Sequence, residues 1–476
     1  MYMLFYIGGI ILLEQELCQK VIAKALETGG DFAEIYYENK IRQAITCEDG
    51  KVERIITGYD LGVGIRIIHG KTISYAYTDD VSEAALLETA IIAGSAAKHQ
   101  NNTTIIDLTK RKYNPLHVIK ISPNQVDKAE KVKWVLAADS AARNYSTSIK
   151  QVMVGYNDSI QKIQIANSNG LFVEDERVLS RLSVQSIAIK NDVMQTGYYG
   201  PGKHMGSELF QEITPESIGV EAARIAVTML DAKPAPSGSL PVVISNGFGG
   251  VLFHEACGHP LEADAIQKGT SVYKDLVGKQ VASSLLTAID SSIVPNGWGS
   301  YNIDDEGQKA QSTVLIKDGI LQDYMYDYKQ AKEAGRMSTG NGRRMSYQHM
   351  PLPRMTNTYI ENGKSNPNDI ISSTKEGFFA KRLSGGQVNP ATGDFTFVVS
   401  EGYMIKNGKL AEPVRGATLI GNGPEIMKRI DMIGNDLELA PGMCGKSGQN
   451  IPAGVGQPTL RLTECTIGGT EIKGGK

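Results

Sequence analysis

His254-Glu255-Ala256-Cys257-Gly258-His259 puts two of the chain's seven histidines and a glutamate within six residues. Imidazoles suit a divalent first-row metal such as zinc, and a carboxylate beside them can take a proton from water at that metal. In the H-E-x-x-H helix of many metalloproteases the imidazoles stand at i and i+4 and share one face. Here they stand at i and i+5. At about 100° per residue, five steps turn roughly 500°, so a regular α-helix would leave the rings about 140° apart. Two distortions would reunite them. One is a π-type turn with i→i+5 bonding; the other is a helix ending at Gly258 and Pro260, with His259 turning back from the cap. The plain alternative is one surface and one core histidine, close only by chance.

The flanking residues supply a setting. Leu240 to Ser245 reads as a short buried strand and Asn246-Gly247 as a turn or N-cap. Phe248 to Phe253 starts an apolar helix in which Gly249 and Gly250 allow close packing. The motif then sits on an inward-facing helix, where a buried Glu255 needs a partner that a metal would supply. Two histidines do not close a catalytic zinc site, which usually has three protein ligands and water. His69, His99, His117, His204, His349, four other cysteines and many carboxylates are available. Cys444 stands out between Gly442 and Gly445, where the backbone can expose a thiolate, and adjacent Lys446 would lower its pKa.

His254 to Asp264 (HEACGHPLEAD) resembles the H-E-A-x-G-H-x-L-E-x-D signature of the TldD/PmbA family, on its metal-bearing, TldD-like side. The resemblance continues in Pro353 to Thr358, Gly393 to Tyr403 and Pro441 to Gln449, and covers nearly the whole chain. It implies a metallopeptidase with one Zn²⁺, Cys444 as the third metal ligand beside His254 and His259, and Glu255 as the catalytic base. It also implies small unfolded peptides as substrates in a narrow cleft, and a dimer with a PmbA-type paralogue lacking the motif or with a second copy. The signature does not fix Cys257, which reads as a small packing residue. Glu262 and Asp264 are candidate acceptors for a ligand imidazole N–H, or else solvent-facing groups. His349 and nearby tyrosines are open candidates for stabilising the oxyanion. The competing functions are a non-catalytic regulatory or scaffolding subunit, suggested by the family's older name "modulator of DNA gyrase", and thiol chemistry at Cys257 or Cys444.

Composition narrows the class. A chain of 476 residues has material for two or three domains. Its net charge of −3 and pI near 6.2 leave no electrostatic footprint for nucleic acid or an anionic membrane. Five scattered cysteines are no disulfide framework and favour a reducing compartment, here the cytoplasm. The apolar start, Met1 to Leu13, has no preceding Lys or Arg and is too short to span a membrane, so it reads as an extension or a strand.

The pattern along the chain predicts an α+β protein with a mostly antiparallel sheet in the N-terminal part and a β-rich C-terminal domain carrying the metal helix. The expected divisions are 14–110, 120–232 and 238–476, with Lys233 to Ser239 as linker. Helices are expected at Glu14 to Thr28, Val81 to His99, Ser122 to Tyr145, Thr214 to Asp231 and Glu425 to Ile433. Short strands are expected at Phe32 to Glu38, Arg42 to Glu48, Val52 to Thr57, Gly62 to His69 and Thr72 to Thr78. Asp49-Gly50 and His69-Gly70 provide hairpin turns. Phe395 to Ser400 and Tyr403 to Lys406 read as two further strands. Ile303 to Gly307 reads as a solvated acidic turn and Gly340 to Arg344 as a mobile loop.

Overall fold

Asp49 and Gly50, both at positive φ (51° and 73°), close a two-residue turn between the strands Phe32–Glu48 and Lys51–His69. A second turn, starting at Gly70, adds the strand Thr72–Thr78. Where the sequence suggests five short strands, the chain makes three, the first two of 17 and 19 residues. Asn39, Lys40 and Gly58 do not interrupt them, because Phe32–Glu48 is paired on both sides along its length. Ladder bonds and cross-strand packing override weak local preference.

The computed structural model describes residues 12–95, 106–389 and 391–470. Most of the apolar start, the expected end of the second helix and the candidate ligand His99 lie outside these residues. The first sheet has eight strands, running Thr72–Thr78, Lys51–His69, Phe32–Glu48, Ile149–Asn167, Leu171–Lys190, Thr109–Arg111, with two short strands paired alongside Leu171–Lys190. Helices Gln15–Leu26 and Glu83–Gly94 cover one part of it through Val21, Ile22, Leu86 and Ala90. Helices Lys128–Asn144 and Pro215–Leu230 cover another through Val135, Ala138, Ile218 and Ala222.

Beyond residue 232, Lys233-Pro234 pairs with Val414-Arg415. Five strands then form a ring: Gly238–Ile244, Leu460–Gly468, Ala417–Asn422, Asp394–Lys406 and Glu376–Val388, the last pairing back to the first. A six-stranded sheet includes Ala288–Ser291, Asn357–Ile360, Gln449–Gln457 and, at its edge, Glu438–Lys446. One apolar core joins the two, with Phe253, Ala256, Cys257, Leu261 and Cys444 in it. The fold is α+β, with antiparallel pairing predominant. Among the described residues, no helix is long and apolar enough to cross a membrane.

Several expectations need correction. Phe395 to Lys406 lies in one strand rather than two. The expected helix to Ile433 ends at Lys428, and Ile430–Ile433 is instead a strand paired with Leu460 to Leu462. Gly340 to Arg344 is buried, and its Gly342-Arg343 pairs with Leu352-Pro353. Nor is the acidic loop solvated: Asp304, Asp305 and Glu306 are 0%, 2% and 6% exposed. Arg66 joins Glu306 (2.6 Å) to Glu34 (2.8 Å), Arg344 also reaches Glu34 (2.6 Å), and Arg177 holds Asp305 (2.7 Å). Buried charges persist only when paired in this way. These pairs fasten the C-terminal part to the first sheet.

Candidate metal centre

A 3₁₀ turn at Gly247–Gly250 and a single α turn, Val251–Phe253, lead into a π turn over His254–Gly258. The His259 N–H donates to the His254 carbonyl, the i→i+5 bond that the spacing requires. The π turn, rather than a folded-back helix end, brings the rings together, with centroids 5.2 Å apart. Pro260 then ends the run within a 3₁₀ turn. Gly250 lets this segment press on the neighbouring strand: a Cβ there would lie 2.4 Å from the Gly456 carbonyl oxygen.

Cys444 comes from the edge strand Glu438–Lys446, joined to Gln449–Gln457 by a tight turn at Ser447-Gly448. Strand alternation turns Met443 outward (56% exposed) and Cys444 inward (3%). Two groups pin the strand from outside the sheet ladder: Arg354 Nη2 donates to the Cys444 carbonyl (2.6 Å) and Trp298 Nε1 to the Gly442 carbonyl (2.9 Å).

The Cys444 Sγ lies 3.3 Å from Nε2 of His254 and 3.3 Å from Nε2 of His259. The three ligand atoms all fall within 4.8 Å of one another, the one such group among the described residues. Two nitrogens and a sulfur around zinc, at bond lengths of about 2.0 and 2.3 Å, stand roughly 3.5 Å apart from N to S. The donor set therefore fits zinc in both spacing and chemistry. Burial opposes a thiolate at Cys444, but the His254 and His259 imidazoles outweigh it and pull its pKa down to about 4. Lys446 is not the cause. Its ammonium is spent on Glu262 (2.9 Å), Asp264 (2.5 Å) and the Pro353 carbonyl (3.2 Å).

Glu262 is buried, and its Oε2 accepts from His259 Nδ1 (3.0 Å), which leaves Nε2 free to face Cys444. Burial works against a charge on either partner. The Lys446 and His259 charges nevertheless hold Glu262 below the usual carboxylate range, and Glu262 pushes His259 well above the usual imidazole range. His254 has no matching support, its Nδ1 being buried without a hydrogen bond. Glu255 is not buried as expected: its side chain is 32% exposed, with Oε2 3.8 Å from His259 Nε2. Cys257 packs in the core with Sγ 3.1 Å from the Tyr273 hydroxyl, and burial pushes its pKa up to about 12.

The other candidates lie elsewhere. His117 and His204 stack on each other, with ring centroids 4.5 Å apart. His349 pairs with Ser346, and Cys18, Cys47 and Cys465 are buried and free. Lys446 acts on Glu262 and Asp264 rather than on the Cys444 thiol, and Arg354 acts on the Cys444 carbonyl; neither link is legible in sequence, because folding alone makes these residues adjacent.

Models of the PmbA/TldA metallopeptidase match the chain in three consecutive pieces: domain 1 over residues 33–97, the central domain over 121–230 and the C-terminal domain over 237–469. The chain is 39% identical over 453 residues to the metalloprotease TldD homolog of Buchnera aphidicola subsp. Schizaphis graminum, covering 92% of this chain and 93% of that one. It is 28% identical to the zinc metalloprotease TldD homolog of Saccharolobus solfataricus, covering 94% and 99%. The crystal structure of TldE from Thermococcus kodakarensis has the same fold, with a TM-score of 0.77 at 20% identity over 95% of this chain and 99% of that chain.

Proposed function

The chain belongs to the PmbA/TldA metallopeptidase family, and from that premise we propose that it is a zinc-dependent peptidase acting on small unfolded peptides. The observation that carries this reading is the convergence of His254, His259 and Cys444 beside the partly exposed carboxylate of Glu255. Zinc held by these three residues would polarise the scissile carbonyl and lower the pKa of water from 15.7 toward about 7. Glu255 accepts the proton of the attacking water and returns it to the leaving amine nitrogen. Glu262, itself held by Lys446, keeps His259 in the tautomer whose Nε2 is free to ligate. The strand carrying Cys444 is the edge of its sheet, so an extended peptide can add to it by backbone hydrogen bonds. That mode favours flexible chains and reads little of their side chains.

All five cysteines are free, in keeping with work in a reducing cytoplasm. Pairing with a second copy or a PmbA-type subunit belongs to the same proposal, and sedimentation as a monomer with and without such a subunit would remove it. A purely regulatory subunit would have no use for three convergent ligand atoms with a carboxylate beside them. The direct test is elemental analysis of protein purified without chelator, together with hydrolysis of an unstructured casein-like chain. About one zinc per chain is expected, with activity lost to chelator and regained with zinc. Protein that takes up no zinc, or cleaves nothing when loaded, would end the reading.

A further inference from the structure

Between the first sheet and the six-stranded sheet lies a cavity of about 760 Å³. Its lining includes Glu38 of the first sheet, Asp305 of the acidic loop and Met443, next to the candidate ligand Cys444. Met443 and Cys444 point to opposite faces of their strand, so the cavity and the metal cluster share that strand as a wall.

Three buried guanidiniums line this space. Arg177 is committed to Asp305 and to the Ile303 carbonyl (2.7 Å each). Arg344 is committed to Glu34 (2.6 Å) and the Asp305 carbonyl (2.7 Å). Arg343 differs. It is 5% exposed, and among the described residues its guanidinium makes one hydrogen bond, from Nη1 to the Met355 carbonyl (2.6 Å), while its Nε, like that of Arg344, is buried with no partner. Among the described residues, no carboxylate lies within ion-pair distance of it. Its guanidinium lies over the Tyr301 ring, 5.4 Å from the centroid. Burial pulls its pKa down against the opposing pull of Asp305, whereas carboxylates overcome the same burial at Arg177 and Arg344. A guanidinium stays protonated in proteins, so the cavity wall carries a buried positive charge with most of its donors unspent. Such a charge is costly unless something pairs with it, and the planar fork matches a carboxylate.

We propose that Arg343 receives a carboxylate of the bound peptide in this cavity. The inference rests on the peptidase reading and adds a selectivity to it. A peptide laid along the edge strand is anchored by one negative end on the far side of the wall that carries Cys444. Two sources share this chemistry, the C-terminal carboxylate and an Asp or Glu side chain.

The test uses three N-terminally labelled pentapeptides: all-alanine with a free C-terminus, the same peptide amidated, and an amidated version with a central glutamate. Dissociation constants are measured by fluorescence anisotropy on the zinc-loaded full chain carrying Glu255→Gln, and kcat/KM on the wild type. A charge-assisted pair predicts that a carboxylate tightens binding by on the order of tenfold to a hundredfold. Preference for the free acid assigns the C-terminus, and preference for the central glutamate assigns the side chain. In Arg343→Gln the preference vanishes; Arg343→Lys, which keeps the charge without the fork, retains part of it. Equal binding of all three peptides overturns the inference, with no need of an Arg343 variant that folds. So does a preference that survives Arg343→Gln. Failure of the peptidase reading shows separately, as no wild-type hydrolysis of any peptide, while the binding ratios still decide the role of Arg343.

Discussion

Cys257 and Cys444 are both buried, yet their surroundings drive them to opposite states. One is a thiol locked in apolar packing, the other a thiolate facing two imidazoles. Serine at position 444 offers a hydroxyl that stays protonated near pH 7, so Cys444→Ser is expected to lose zinc and activity together. Cys257→Ser is expected to keep both, at a cost of about 1–3 kcal/mol for an imperfectly satisfied buried hydroxyl. Zinc content measured beside thermal stability separates the two outcomes; equal zinc loss in both variants would contradict the assignment. Glu255→Gln is expected to keep the metal and lower the rate by about 10²–10⁴, the usual weight of a general base. Full activity in that variant would remove Glu255 from the mechanism. The two histidines were legible as a pair because five-residue spacing has few solutions. Cys444, 185 residues beyond His259, stood out by its glycine neighbours, but its role as the third ligand came from resemblance.

The π turn depends on what it presses against. Its approach is held by Gly250 against the backbone of Gly456, where neither side can yield as a flexible side chain would. Gly250→Ala is therefore expected to cost about 1–3 kcal/mol by overpacking. It should weaken zinc binding as well, because the displaced turn carries His254. A calorimetric melt with a chelator-competition titration checks both; a lowered Tm with unchanged zinc affinity would uncouple the turn from the site. Turns were the elements most readable from sequence, since Asp49-Gly50 adopts the positive φ that pair favours and Gly70 does so in the turn expected at His69-Gly70. Strand lengths were not, because pairing on two sides carries a strand through residues that look like breaks alone. The acidic loop was misread for a related reason. Glu306 finds Arg66 across 240 residues and Asp305 finds Arg177 across 128, so nothing nearby in the chain announces their burial.

Across the whole molecule, those same ion pairs tie the first sheet to the catalytic half. Arg66→Met strands the Glu306 carboxylate in the interior and is expected to destabilise by about 3–5 kcal/mol. Urea unfolding measures it, and an unchanged midpoint would show that the contact carries no load. A second tie is sensitive to acid. His117 and His204 grip the loop of Asn296 and Ser300, from which Trp298 reaches the strand of Cys444. Burial, aided by His117, pulls the His204 pKa down to about 3, and burial also lowers that of His117. The unfolded chain takes up these protons near pH 6.5 while the folded chain refuses them. The stability they contribute is therefore complete above about pH 6.5 and drains away as pH falls toward 3. Thermal melts followed by circular dichroism from pH 7.5 to 4.5 should show the decline; exchanging both histidines for neutral residues that preserve packing should flatten it. The closed ring of strands carries one more consequence. Its final stave, Leu460–Gly468, slots between Gly238–Ile244 and Ala417–Asn422, and Gly238 meets Ile467 only after 229 intervening steps (467 − 238). A chain still growing on the ribosome gains its two imidazoles first, its Cys444 thiol 185 residues later, and the strand that closes the ring after all three. The wall is completed last, so a copy short of those final residues has all three ligand side chains but not the closed ring around them.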